Sequence, residues 1–139
     1  MPRPTFLHCS CPPAPLEYAA ALTYPGDIKA TTGRDGMIRH LVLVRFRDDI
    51  PPGEVAAIFD ALGALRRLLP GMTNFRFGPN VSPEGLARGH THAFTIDFTD
   101  AAARDAYLAL PEHEAAGARL VKAAEGGLSG LTVLDLELA

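Results

Sequence analysis

Cysteine is nearly absent from this chain: Cys9 and Cys11 are the whole complement. Two thiols so close together and so near one end cannot staple a fold, so disulfides are excluded as its source of stability. Long hydrophobic runs are missing as well. Nothing approaches the roughly 18 consecutive apolar residues that span a bilayer, and the N-terminus lacks the basic stretch followed by an apolar core that marks a secretory signal. The expectation is a cytoplasmic protein with no membrane partner. Excess charge of one sign is also lacking, with 13 Lys and Arg against 16 Asp and Glu and a net charge of −3. Spread without blocks, that balance offers nucleic acid no electrostatic footprint. What is present is 139 residues of 47% hydrophobic content, enough to close one substantial core in one domain.

Composition changes at Met37. Residues 1–36 carry Pro2, Pro4, Pro12, Pro13, Pro15 and Pro25 with no sustained period of 2 or 3.6, and read as an irregular arm. The arm is either a genuine extension or a stretch upstream of a natural start at Met37. His8, Cys9 and Cys11 cluster three metal-capable donors, but no second pair stands at zinc-site spacing, so they read as part of a solvated tail and no metal or cofactor is expected. The folded domain is expected over 37–139.

From Met37 the punctuation is regular. Ile38 to Phe46, rich in β-branched and aromatic residues, reads as a strand. Pro51 and Pro52 open a helix, where a missing N–H is harmless, and Val55, Ile58, Phe59, Leu62, Leu65 and Leu69 recur at helical spacing until Pro70-Gly71 stops it. Met72 to Phe77 forms a second strand, Gly78 to Gly89 a loop, and His90 to Phe98 a third strand. Asp100 caps a short helix, Pro111 starts another that ends at Gly126-Gly127, and Leu131 to Leu138 is the last strand. The order βαββαβ predicts an α+β, ferredoxin-like fold with an antiparallel sheet and helices on one face.

Alternation then assigns faces. Ile38, His40, Val42, Val44 and Phe46 share one side of the first strand, and His92, Phe94, Ile96 and Phe98 one side of the third; these bulkier sets are expected beneath the helices. Leu41 and Leu43 fall on the helix-free face, which still needs cover. A second copy of the same sheet supplies it most simply, so a homodimer through that face is expected.

Four polar side chains are turned inward by the same arithmetic. His40 and His92 come from the strands, Tyr107 from the face it shares with Ala103, Ala106 and Leu110, and His113 from the first turn of a stripe continuing through Ala116, Gly117, Leu120, Val121 and Ala124. Polar groups are costly to bury without partners, so the chain has built either a hydrogen-bond network or a wet pocket. Because Ala116, Gly117 and Ala124 bring little volume, helix and sheet either approach closely or leave a cavity lined by the four. In the second case the walls are Val42, Val44, Phe59, Phe94 and Ile96. A metal site from His40, His92 and His113 is the further alternative, without an obvious carboxylate ligand.

Four segments carry a family resemblance: Met37 to Phe46, the loop Gly78 to Gly85, the strand His92 to Phe98, and Ala106-Tyr-Leu-Ala-Leu-Pro-Glu-His113. Together, over about Met37 to Leu138, they resemble the stress-responsive dimeric α/β-barrel domain, Dabb. The resemblance implies a ferredoxin-like fold dimerising through its sheets into a shared barrel. Some members are polyketide cyclases in which a tyrosine and a histidine six residues later form an acid/base pair. Tyr107 and His113 match that spacing, while His40 and His92 match pocket histidines of the same members. The resemblance thus implies His113 as the base that takes an acidic α-proton and Tyr107 as the donor to the developing enolate oxygen. A helix N-terminus disfavours an imidazolium, which suits His113 to that task. Where many relatives carry a histidine just before the proline, this chain has Leu110. Two classes of function follow: an enzyme of aldol-type cyclisation or related proton transfer on a hydrophobic carbonyl ligand, or a non-catalytic stress-associated dimer with a buried His/Tyr network.

Overall fold

The computed structural model describes residues 36–138. The arm expected over 1–36, with Cys9 and Cys11, falls outside them apart from Gly36.

Strand β1 (Met37–Val44) runs through the middle of a four-stranded sheet. Helix α1 (Pro52–Ala64) follows, begun by Pro51 and Pro52 with Glu54 at the positive end of its dipole, and tightens into a 3₁₀ turn at Leu65–Arg67. Strands β2 (Met72–Pro79) and β3 (His92–Phe98) come next, then α2 (Ala101–Leu108). Asp100 caps α2 by accepting from the Ala103 N–H at 2.7 Å. Helix α3 (Pro111–Ala123), a 3₁₀ turn at Gly127–Gly130 and β4 (Leu131–Leu138) complete the chain. The sheet order is β2-β3-β1-β4, and every neighbouring pair is antiparallel. This is the ferredoxin-like α+β fold that the element order predicts.

The strand ends differ from expectation. Phe46 lies beyond β1 and pairs with Ala124 in an isolated bridge. His90 precedes β3, and β2 extends past Phe77 to Pro79. In β2 the register against β3 shifts between Thr73 and Arg76, where Asn74 adopts φ 47°. A bulge of one residue re-phases the alternation, so Met72, Phe75 and Phe77 all turn toward the helices instead of every second one.

The core lies between sheet and helices. Ile38, His40, Val42 and Val44 of β1 and Phe94, Ile96 and Phe98 of β3 are buried against Ile58, Phe59, Leu62, Tyr107, Ala116 and Leu120. The small residues Ala116, Ala123 and Ala124 are buried too, so α3 approaches the sheet closely along that line. The opposite face carries Leu41 and Leu43, half-buried, beside Leu134 and Leu136, which are 49% and 47% exposed. Within it, Arg39 binds the buried Asp97 carboxylate through two hydrogen bonds of 2.7 and 2.9 Å, which holds that carboxyl below its usual range.

Candidate functional site

Register fixes the centre of the site. His40 lies opposite Ile96 on one side and Asp135 on the other, so strand alternation aims all three beneath the helices. Its ring is 5% exposed and meets Phe98 and Tyr107 edge-on at 6.3 and 5.8 Å between centroids. Nδ1 stands 2.6 Å from Oδ1 of Asp135, and the guanidinium of Arg104, from α2, donates to Oδ2 at 2.6 Å. Arg104 in turn donates through Nε to Asp105 at 2.8 Å. Burial alone would raise the Asp135 carboxyl, but the hydrogen bonds from His40 and Arg104 outweigh it and hold the group below the ordinary carboxylate range.

Tyr107 and His113 complete the cluster from the two helices. Their rings lie 4.3 Å apart, centroid to centroid, inclined at 53°. Tyr107 is 1% exposed, and burial pushes its phenol well above the ordinary value, so it is a donor at neutral pH. His113 is half-buried. Burial first, then the neighbouring His40, push its pKa down, while a backbone hydrogen bond at Leu108 works the other way. The direction is the one the helix position suggests, but desolvation supplies it. One turn beyond His113, no atom outside the backbone of α3 lies within 4 Å of where a Cβ on Gly117 would sit, among the described residues. On the edge strand, Val133 of β4 pairs with the buried Val42 yet is 54% exposed. The edge strand is therefore left uncovered next to the cluster.

His92 does not join the other three. It pairs with Val44, four residues along the strand from His40, which at strand rise is roughly 13 Å. There its ring meets Phe46 at 5.1 Å and Phe59 at 6.2 Å, Thr91 Oγ1 stands 2.9 Å from Nδ1, and burial lowers its pKa. It lines a cavity of about 370 Å³ at that end of the sheet, with Phe46, Val55, Phe59 and Phe77. The expectation of one hollow shared by four polar side chains is thus corrected to a cluster of three and a separate apolar groove. Of the expected walls, only Phe59 reaches the groove; Val42, Val44, Phe94 and Ile96 are packed into closed core. The separation of His92 also breaks up the three-histidine metal alternative, and among the described residues no group of three His, Cys, Asp or Glu is placed to hold a metal.

Periodicity does not single out Asp135 or Arg104 as partners of the cluster. A signal for the first is present: in Leu131 to Leu138, Asp135 shares its side of the strand with Val133, and with β4 beside β1 that side is the helix side. Arg104 carries none beyond lying one helical turn before Tyr107.

Fold and site together define a small ferredoxin-like domain with a His/Tyr cluster held between the sheet and two helices. Residues 38–137 match the model of the Stress responsive A/B Barrel Domain, Dabb, and the chain belongs to that family. It is 32% identical over 78 residues to the stress-response A/B barrel domain-containing protein HS1 of Arabidopsis thaliana, spanning 56% of this chain and 72% of that one. To olivetolic acid cyclase of Cannabis sativa it is 24% identical over 76 residues, 55% of this chain and 75% of the cyclase. Among solved structures it resembles a dimeric ferredoxin-like protein of unknown function from Jannaschia sp. CCS1, with a TM-score of 0.70 and 37% identity over 74% of this chain and 100% of that one. Among the described residues no helix is long and apolar enough to cross a membrane.

Proposed function

We propose that this Dabb domain binds a hydrophobic carbonyl compound in the space beside Gly117 and Val133 and transfers a proton on it, using His113 as base and Tyr107 as hydrogen-bond donor. The observation that carries this reading is the 4.3 Å approach of the Tyr107 and His113 rings, with the His40 ring 5.8 Å from Tyr107. His113, kept neutral by its surroundings, accepts the acidic α-proton. Tyr107, kept protonated, donates to the carbonyl oxygen as negative charge gathers there. The resulting enolate attacks a second carbonyl of the same molecule in an aldol-type closure, and the proton on His113 returns to the alkoxide formed. The similarity to olivetolic acid cyclase supports a ring-closing reaction.

The domain works as a homodimer in this reading, with the face bearing Leu41, Leu43, Leu134 and Leu136 turned toward a second copy; the dimeric ferredoxin-like relative supports it. The proton-transfer step is tested with ethyl 3-oxooctanoate in D₂O, following loss of its α-protons by NMR above the buffer rate. Wild type accelerates exchange, and His113→Ala and Tyr107→Phe each lower the acceleration by roughly 10²-fold or more. Exchange at the buffer rate with every protein overturns the proposal. A second reading, a non-catalytic dimer whose His/Tyr cluster only fixes the fold, is favoured by the closed packing of Val42, Val44, Phe94 and Ile96; it requires both variants to lose stability while ligand binding is unchanged.

A further inference from the structure

We propose that Arg104 is a positioning residue for the site: by clamping Asp135 it fixes the tautomer and orientation of His40, so that this imidazole carries its proton on Nδ1 and offers Nε2 as a lone-pair acceptor within the cluster.

The acceptor decides the tautomer. An ionised carboxylate accepts hydrogen bonds and donates none, so a neutral imidazole whose Nδ1 lies 2.6 Å from it must hold its proton there. Asp135, however, stands on an edge strand with its side chain 30% exposed, and a carboxylate so placed is free to rotate toward water. Arg104 removes that freedom. Its guanidinium takes the other carboxylate oxygen at 2.6 Å, and Asp105 takes its Nε at 2.8 Å, so the fork is tied at two points. The pairing also spans two elements, because Arg104 sits on α2 three residues before Tyr107 while Asp135 sits on β4. The helix that brings the phenol into the cluster therefore also brings the group that orients the histidine opposite it.

Orientation matters because His40 neighbours both reacting groups. Its ring is 5.8 Å from Tyr107 between centroids, and it is close enough to His113 that a positive charge on one disfavours a positive charge on the other. A ring in the other tautomer would present an N–H where the clamped one presents a lone pair, and the hydrogen-bond pattern available to Tyr107 or to a ligand hydroxyl would be inverted. Outer partners that fix imidazole tautomers in this way change rates without touching the reacting atoms.

The consequence for catalysis rests on the proposed function; the consequence for His40 does not, and the two are read separately. In ¹⁵N-labelled full-length protein at mildly alkaline pH, two-bond ¹H–¹⁵N spectra report which ring nitrogen is protonated. Free histidine favours the Nε2–H form, so the Nδ1–H pattern expected for His40 is diagnostic. It should be lost or averaged in Arg104→Met and in Asp135→Asn, and retained in Arg104→Lys, whose ammonium still reaches a carboxylate oxygen. With ethyl 3-oxooctanoate, Arg104→Met should lower the maximal exchange rate roughly tenfold while half-saturation is little changed. An Nε2–H pattern in wild type, or an Nδ1–H pattern unaltered in both Arg104→Met and Asp135→Asn, overturns the proposal. If the tautomer responds as stated but no form of the protein accelerates exchange, positioning by Arg104 stands and the catalytic reading falls.

Discussion

Replacing Tyr107 by phenylalanine separates a functional hydroxyl from a structural one. The ring is 1% exposed and packs on Phe98 at 5.1 Å, His40 at 5.8 Å and His113 at 4.3 Å, so its apolar part is core. Removing the whole side chain would cost about 3–5 kcal/mol. Phenylalanine keeps all of that ring packing and deletes one oxygen. Were the hydroxyl a structural hydrogen bond, its loss would cost about 0.5–1.5 kcal/mol net, and more if the abandoned partner were left buried. Among the described residues no side chain holds that hydroxyl in a hydrogen bond, and it is not one of the sealed, unpartnered polar atoms either, a condition met only by Nδ1 of His90. The hydroxyl thus keeps at most a sliver of accessible surface on a side chain that is otherwise buried. Deleting it should leave stability unchanged or raise it by up to about 1 kcal/mol, by removing the cost of burying an unsatisfied polar group. For a domain of roughly 100 residues that is a rise of no more than about 4–8 °C in Tm. Urea unfolding followed by circular dichroism measures the first quantity, and α-proton exchange on ethyl 3-oxooctanoate the second. Exchange lost with stability retained is the expected result. Destabilisation by about 1.5 kcal/mol or more with unchanged m-value would refute the reasoning, since the hydroxyl would then hold the fold together.

Helix position and open space predict that Gly117→Ala stabilises the domain by about 0.5–1 kcal/mol, because glycine inside a helix is costly and the added methyl meets nothing; Gly117→Leu should instead fill the approach to His113 and abolish exchange while the protein stays folded, as judged by thermal melting and NMR dispersion. His113 has a pKa pushed below that of an unfolded histidine, so the acid limb of the exchange rate should fall below the ordinary histidine value of about 6.5, and a pH–rate profile breaking above that value would contradict the burial argument. The same sign governs stability: with His92 and His113 both lowered on folding, the unfolded chain takes up protons first as pH falls through about 6.5, and the fold should lose stability from there down to the lowered folded values. Placing Lys at both Leu134 and Leu136 should convert a dimer to a monomer in sedimentation equilibrium with the far-UV spectrum preserved, because the charges lie on an exposed face and not in the core; a monomeric wild type would remove the need for a partner there.

Most of the fold is legible because its elements are punctuated by residues with one physical meaning. Pro51 and Pro52 suit a helix start, Asp100 caps α2, and Gly126-Gly127 stands at φ 72° and 67° where α3 has ended. The strand ends are less legible. His90 looks like the first residue of β3, yet its Nε2 lies 3.1 Å from the Thr132 hydroxyl while Thr91 bonds Val44, so pairing proper begins at His92. The Asn74 bulge is hidden because it leaves Met72 to Phe77 reading as an ordinary apolar run; only the positive φ reveals that one residue has been inserted to bring Phe75 and Phe77 onto the helix side.

The candidate site shows where one-dimensional periodicity stops. It names the side of the sheet a residue occupies, and correctly turns His40, His92, Tyr107 and His113 inward, but it carries no coordinate along the strand. That coordinate comes from pairing: β1 and β3 run antiparallel, so the first residue of β3, His92, meets the last of β1, Val44, and lies as far from His40 as the pairing allows. Antiparallel register also explains the partner that periodicity misses. Asp135 is fifth in β4 and His40 fourth in β1, mirrored positions in strands of equal length, so the register that aligns the two strands end to end sets them side by side. A histidine and an aspartate on the same face at mirrored positions of neighbouring antiparallel strands therefore form a pair that the residue order and the strand order together suffice to name. Arg104 cannot be read that way, because its reach depends on where α2 lies over the edge of the sheet. The site is accordingly built from two kinds of information. Strand register places His40 and Asp135, and helix packing places Tyr107, His113 and Arg104, so a substitution that shifts α2 without disturbing the sheet should separate the phenol and the clamp from the histidine together.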